Sequence, residues 1–118
     1  MSDELERLDL GVARAKGIVV ASDDVREGCV FAQPDGLHLG IAGGQSRRWS
    51  PATRWEDAGP LLEEMPDYVL VNEGSSFAVV EVGELVDVYS EGGTMQCYPT
   101  APEAIARAYV EMRAAERR

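Results

Sequence analysis

Between Arg47 and Glu64 the chain gathers residue types suited to holding a charged, planar molecule. Arg47, Arg48 and Arg54 fall within eight positions, and both tryptophans, Trp49 and Trp55, and the hydroxyls of Ser50 and Thr53 lie among or beside them. A guanidinium presents paired N–H donors that match a phosphate or carboxylate edge. An indole presents a flat face on which a base or another ring can stack. The expected site is therefore a ligand-binding one made by Arg47, Arg48, Trp49, Thr53, Arg54 and Trp55, with donors added by a helix N-terminus near Asp57. The competing reading is structural. In it Trp55 anchors the loop in the core and the arginines pair with nearby acids, leaving Trp49 as the more exposed ring.

Catalysis has little to build with. His38 is the only histidine, and the two cysteines, Cys29 and Cys97, lie far apart with no C-x-x-C. A zinc site needs about four soft ligands, which this chain cannot assemble from Cys and His. Both cysteines read as small apolar packing residues. No G-x-S-x-G, H-E-x-x-H or P-loop pattern occurs. Asp57, Glu63 and Glu64 have the chemistry of an acid–base pair, but carboxylates beside a helix start more often serve as caps or solvated charges. The expectation is a protein that is not an enzyme, with no catalytic residues, no metal and no cofactor.

Charge narrows the partners. The chain has 118 residues and a formal net charge of −10. Residues 55–106 hold eleven Asp/Glu and no Lys or Arg, whereas residues 1–54 and 107–118 carry all eleven basic residues. A span of this kind repels nucleic acid phosphates, so direct DNA binding is not expected. It suits a solvated face, or docking onto a basic protein surface through Glu73, Glu81, Glu84, Asp87 and Glu91. Exposed strand edges offer a route to a homo-oligomer. No apolar run approaches the ~20 residues of a membrane span, and the charged N-terminus is no secretory signal, so a cytoplasmic protein is expected.

The elements that must position these residues read as one compact α+β domain over residues 1–118. Residues 3–16 form a helix with the stripe Leu5, Leu8, Val12 and Ala15, closed by Gly17; Gly11 within it suggests close packing against a sheet. Short strands follow at Ile18–Ala21, Cys29–Ala32 and Leu37–Ile41, with His38 facing solvent. Asp57 caps a helix over Ala58–Met65. Tyr68–Asn72, Phe77–Val82, Leu85–Tyr89 and Met95–Tyr98 make an antiparallel meander of about four strands. Thr100 and Glu103 form a capping box for a last helix reaching about Ala115. The N-terminal and C-terminal helices pack on this sheet.

Three stretches resemble the NinX-like family of small bacteriophage proteins. L-D-L-G-V-A-R-A-K-G, residues 8–17, is similar to that family's opening helix. S-P-A-T-R-W-E-D-A-G-P-L-L-E, residues 50–63, is similar to its S-P-S-T-x-W-x-x-G-G-P-L-I-E. Ser50, Pro51, Thr53, Trp55, Gly59, Pro60, Leu61 and Glu63 match, while Ala52 and Ala58 stand in place of a serine and a glycine. P-T-A-P-E-A-I-A-R-A-Y-V, residues 99–110, resembles its closing helix. The middle motif is the specific one, and residues 18–49 and 64–98 are much less alike. The resemblance implies a phage or prophage accessory protein that binds a host component, and it supplies no mechanism. In that setting the leading expectation is sequestration of a small anionic, nucleotide-like defence signal at the Arg47–Trp55 loop. The alternative is an acidic protein-protein inhibitor of a host protein, and a small hydrolase comes third.

Overall fold

In a computed structural model the chain is an α+β fold with helices at both ends. The structure describes residues 3–21, 26–83 and 96–116. Helix α1 spans Asp3–Lys16 and α3 spans Ala101–Glu116; between them lie β1 (Val30–Gln33), β2 (Gly36–Ile41), β3 (Gln45–Arg48), α2 (Trp55–Glu63), β4 (Tyr68–Glu73) and β5 (Ser76–Glu81). The strands divide into two antiparallel sheets, β1-β2-β3 and β4-β5. Tyr98 pairs with Phe77 in a single antiparallel bridge. Leu85–Tyr89, expected as a strand, and Glu84, Asp87 and Glu91 lie outside the described residues.

Helix α1 forms where expected and ends at Gly17, whose φ of 79° is the left-handed conformation glycine takes without penalty. A Cβ on Gly11 would meet Val110 of α3 at 3.7 Å, so its neighbour is a helix and not the expected sheet. The expected Ile18–Ala21 strand reduces to one parallel bridge, Val20 to Val30. Gly40 has a clear steric reason: the Arg26 carbonyl oxygen lies 1.9 Å from where its Cβ would be. Helix α3 begins as its sequence directs, with the Glu103 N–H donating to Thr100 Oγ1 at 3.3 Å. The Glu103 carboxylate does not complete the capping box, because it accepts from Arg107 Nε at 2.9 Å.

One core joins the three helices and the first sheet. Val12 and Ala13 of α1, Val30 and Leu37, Trp49, Ala58 and Leu61 of α2, Met65, and Ile105, Ala106 and Tyr109 of α3 belong to it. Fully burying a large apolar side chain contributes about 1.5–3 kcal/mol. Tyr109 is completely buried, and its hydroxyl is not stranded: it donates to Glu64 Oε1 at 3.0 Å and accepts from Arg113 Nε at 3.1 Å. Among the described residues no helix is long and apolar enough to cross a membrane.

Candidate functional site

The strand that sequence reading missed sets the geometry of the Arg/Trp stretch. Q-S-R-R has no apolar alternation, yet β3 pairs with β2, placing Arg47 opposite Leu39, Arg48 opposite His38 and Ser46 opposite Gly40. Directly opposed residues share a sheet face and successive ones alternate. Arg47 therefore lies on the Leu39 face, toward the core, and Arg48 on the His38 face. Trp49 continues the Arg47 side, its N–H donating to the Leu37 carbonyl at 2.9 Å. Trp49 is 5 % exposed and sits in the core, whereas Trp55 is 56 % exposed. This reverses the expected roles of the two rings. Trp55 opens α2 away from the side that Asp57, Ala58 and Leu61 bury.

Two buried carboxylates hold this stretch. Asp57, expected as an N-cap, is instead the third residue of α2; Arg54 occupies the cap position and makes no side-chain cap bond. Asp57 Oδ1 accepts from Arg47 Nη1 at 2.8 Å, and Oδ2 accepts from the Ser50 N–H at 2.9 Å. Arg54 pairs with Glu56, and its Nε lies 3.6 Å from Asp57 Oδ2, beyond hydrogen-bond reach. That buried Nε has no hydrogen-bond partner. Asp9 of α1 is the second carboxylate. Its Oδ2 accepts from Ser50 Oγ at 2.7 Å and its Oδ1 from the Ala52 N–H at 2.8 Å, while Thr53 Oγ1 donates to Ser50 Oγ at 2.6 Å. Burial pushes the Asp9 carboxyl up to about 6, against the two bonds that lower it and with the help of the nearby Asp57 and Glu6 charges. The sequence did carry a signal for Asp9: it lies four residues after Leu5 and three before Val12, on the helix face that becomes buried.

Beside this lock runs an open groove of about 190 Å³. Its floor is apolar, made by Ile18, Leu39, Trp49, Pro60 and Leu61. Lys16, Arg47, Glu56 and Asp57 supply the polar edge. The charges there are paired internally: Lys16 with Glu64 at 2.6 Å, Arg47 with Asp57, and Arg54 with Glu56. Of these, Lys16 and Arg47 line the groove against Glu56 and Asp57, two cations against two acids, so it offers no net positive field. It does offer donors. Arg47 uses only Nη1, to Asp57 and to the Arg48 carbonyl, in the bonds described, and its side chain is 41 % exposed. A guanidinium has five N–H groups in a fork, so its remaining edge matches one carboxylate or phosphate.

On the other sheet face His38 links three strands. Its Nε2 lies 2.9 Å from Asp35 Oδ1 and its Nδ1 3.2 Å from Ser46 Oγ. The ring is 17 % exposed, so the expected solvent-facing histidine is instead a half-buried connector, 6.0 Å from the buried Phe31 ring. The bond to His38, with its charge and that of Arg48, holds the Asp35 carboxyl below the usual carboxylate range despite the opposing effect of desolvation. An acid–histidine–serine chain is the arrangement of a nucleophilic site, but there the acid is buried. Asp35 is 58 % exposed, so water screens the charge that would activate the ring.

The six expected site residues thus divide. Arg47 and Trp49 line the groove. Arg54 pairs with Glu56 and stands near the same Asp57 carboxylate without a hydrogen bond to it. Thr53 is tied to Ser50, Trp55 projects into solvent, and Arg48 lies on the opposite sheet face, although Arg48, Trp49 and Thr53 also come together in the lining of a small pocket beside Asp9. Among the described residues no three His, Cys, Asp or Glu converge to hold a metal. No family model matches the chain, and no curated protein matches it.

Proposed function

We propose that this chain acts by binding rather than by turnover, as a phage or prophage accessory protein in the bacterial cytoplasm that captures a small anionic, nucleotide-like ligand. The phage setting rests on the likeness of residues 50–63 and the two terminal helices to the NinX-like family. The ligand class rests on one observation: an apolar groove walled by Trp49 carries the free edge of the Arg47 guanidinium at its rim. At about 190 Å³ the groove is smaller than the 300–1,000 Å³ of drug-sized sites, so it suits one flat ring and one anionic group. Balanced local charge in a chain of net charge −10 leaves no long-range attraction for an anion, so capture rests on the close contacts.

The test is a titration with nucleotides and cyclic nucleotides, following tryptophan fluorescence and thermal midpoint. A ligand that binds only the folded state raises the midpoint by mass action. Arg47→Lys keeps the charge and loses the fork, and it weakens binding on the order of tenfold. Arg48→Ala, on the far face of the sheet, leaves binding unchanged. A flat response across the panel, or equal loss in both variants, removes this reading.

A further inference from the structure

Asp57 has two arginines beside it and is hydrogen-bonded to one of them. Its side chain is fully buried, and Arg47 of β3 supplies the close cation, Nη1 to Oδ1 at 2.8 Å. Arg54, the residue before α2, holds its Nε 3.6 Å from Oδ2, beyond a hydrogen bond. Oδ2 accepts from the Ser50 N–H at 2.9 Å, and a carboxylate oxygen has room for a second donor. Among the described residues, Arg54 Nε is the buried side-chain nitrogen left without a hydrogen-bond partner. A buried donor left unmade is costly and calls for a reason. Nη2 of the same guanidinium pairs with Glu56. One edge of Arg54 is thus anchored while its Nε–H stands idle beside a buried anion.

We propose that Asp57 passes from Arg47 to Arg54 when an anion takes the Arg47 fork, which makes Arg54 a positioning residue for a ligand it does not touch. The inference rests on the ligand-capture reading of the groove. Arg47 lines that groove and is 41 % exposed, whereas Arg54 is not part of the lining. An anion on the free edge of Arg47 competes with Asp57 for the same positive charge and draws the guanidinium toward the rim. Asp57, fully buried in the first turn of α2, cannot turn to water instead. A buried carboxylate that loses its cation is strongly destabilised. A closing movement of roughly 0.6 Å brings Arg54 Nε within ordinary hydrogen-bond range of Oδ2 and satisfies the idle donor at the same time. One small movement relieves both costs, so Arg47 can turn to a ligand without leaving a bare charge behind it. By the same logic each arginine stands in for the other in the ligand-free protein.

The experiment follows the Arg54 Nε–H signal of the full chain by NMR, assigned by its loss in Arg54→Lys. In ligand-free Arg47→Gln, Asp57 has lost its close cation. The Arg54 Nε–H is then expected to move downfield and to exchange with water about tenfold more slowly, the factor of one hydrogen bond to a charged group. In the parent the same change is expected on saturation with AMP as the probe, a measurement that needs no variant to fold. Arg54→Lys keeps a charge for Glu56 but loses the Nε–H, and it weakens AMP binding on the order of tenfold. Arg48→Gln leaves AMP binding unchanged. The ligand-free variant carrying both Arg47→Gln and Arg54→Lys loses more thermal midpoint than the two single losses added, as contacts to one shared partner do. The proposal is overturned by an Arg54 signal that stays put in Arg47→Gln, by additive losses, or by AMP binding that is indifferent to Arg54→Lys. If Arg54 closes in Arg47→Gln while AMP and every other nucleotide fail to bind, the nucleotide reading falls and the exchange between the two arginines stands.

Discussion

Asp9 and Glu64 each tie together segments distant in sequence, and they do so in opposite electrostatic settings. Asp9 joins α1 to the Ser50–Ala52 turn with two neutral donors, a hydroxyl and a backbone N–H. Glu64, just past α2, accepts from Lys16 of α1 and from Tyr109 and Arg113 of α3. Desolvation acts on both. At Asp9 it wins, and the carboxyl rises to about 6. At Glu64 burial also pushes upward, but the bonds from Lys16, Tyr109 and Arg113 outweigh it and the carboxyl falls below its ordinary 4.5. Asp9, buried and held by dipoles, is disfavoured as an ion, whereas Glu64, partly exposed and held by cations, is favoured as one. The motif that looks most like a site, Ser50 to Asp57, is therefore partly an internal clamp.

The largest expected effect is loss of that clamp. Asp9→Ala strands the Ser50 hydroxyl and the Ala52 N–H next to a buried turn. Each unsatisfied donor costs about 1–3 kcal/mol, so the variant loses on the order of 3 kcal/mol of unfolding free energy. Urea denaturation at pH 6 measures this. A loss below about 1 kcal/mol would mean that water replaces Asp9 readily and that the clamp contributes little.

Asp9→Asn sharpens the comparison. Because the folded-state value is raised, the Asp9 contribution is fully present below about 3.8, where the carboxyl is protonated in both states, and is lost as pH rises through about 6. At one to two units of effective shift the loss is on the order of 2 kcal/mol. Asparagine can accept from Ala52 and donate to Ser50 at every pH. The variant is expected to equal the parent near pH 4 and to exceed it by about 1–2 kcal/mol at pH 7.5. Comparing parent and variant at both pH values cancels the other carboxylates. A variant less stable than the parent at pH 7.5 would show that the ionised form is the preferred one.

Much of this arrangement was legible before the fold. The termini of α1 and α3 follow from Gly17, Thr100 and Pro102, whose backbone preferences act locally. The turn before Gly36 and the β4–β5 hairpin follow from alternation and turn residues. What failed was nonlocal. Strand β3 exists because β2 and the turn over Ala42–Gly44 present it with a pairing edge, which Q-S-R-R does not announce. Once β3 forms, its register decides that Trp49 goes inward and that Arg47 and Arg48 part to opposite faces. A one-residue slip would have exchanged them. The bonds to Asp9 span more than forty residues, so composition near Ser50 could not reveal them. His38 failed for the same reason: alternation placed it on the right face, but Asp35, Ser46 and Phe31 cover that face.

Glu64→Gln gives the smallest effect and the opposite sign of pH dependence. Its folded value is lowered, so its stabilising contribution is present above 4.5 and is lost as pH falls through that lowered value. Its side chain is 34 % exposed, and water screens the pairs with Lys16 and Arg113, which limits the contribution to well under that of the Asp9 clamp. The neutral amide can still accept from Tyr109. The variant is therefore expected to lose a modest increment of stability at pH 7 that shrinks with added salt and vanishes at acidic pH, where the parent is itself protonated. Asp9→Asn moves the other way, gaining with pH and changing little with salt, since no cation faces that carboxylate in its described bonds. If both variants shifted stability in the same direction between pH 4 and 7.5, the contrast between an acid held by dipoles and one held by cations would fail. The clamp at Ser50 would then have to be driven by packing of Trp49 and Ala52 and not by the charge state of Asp9.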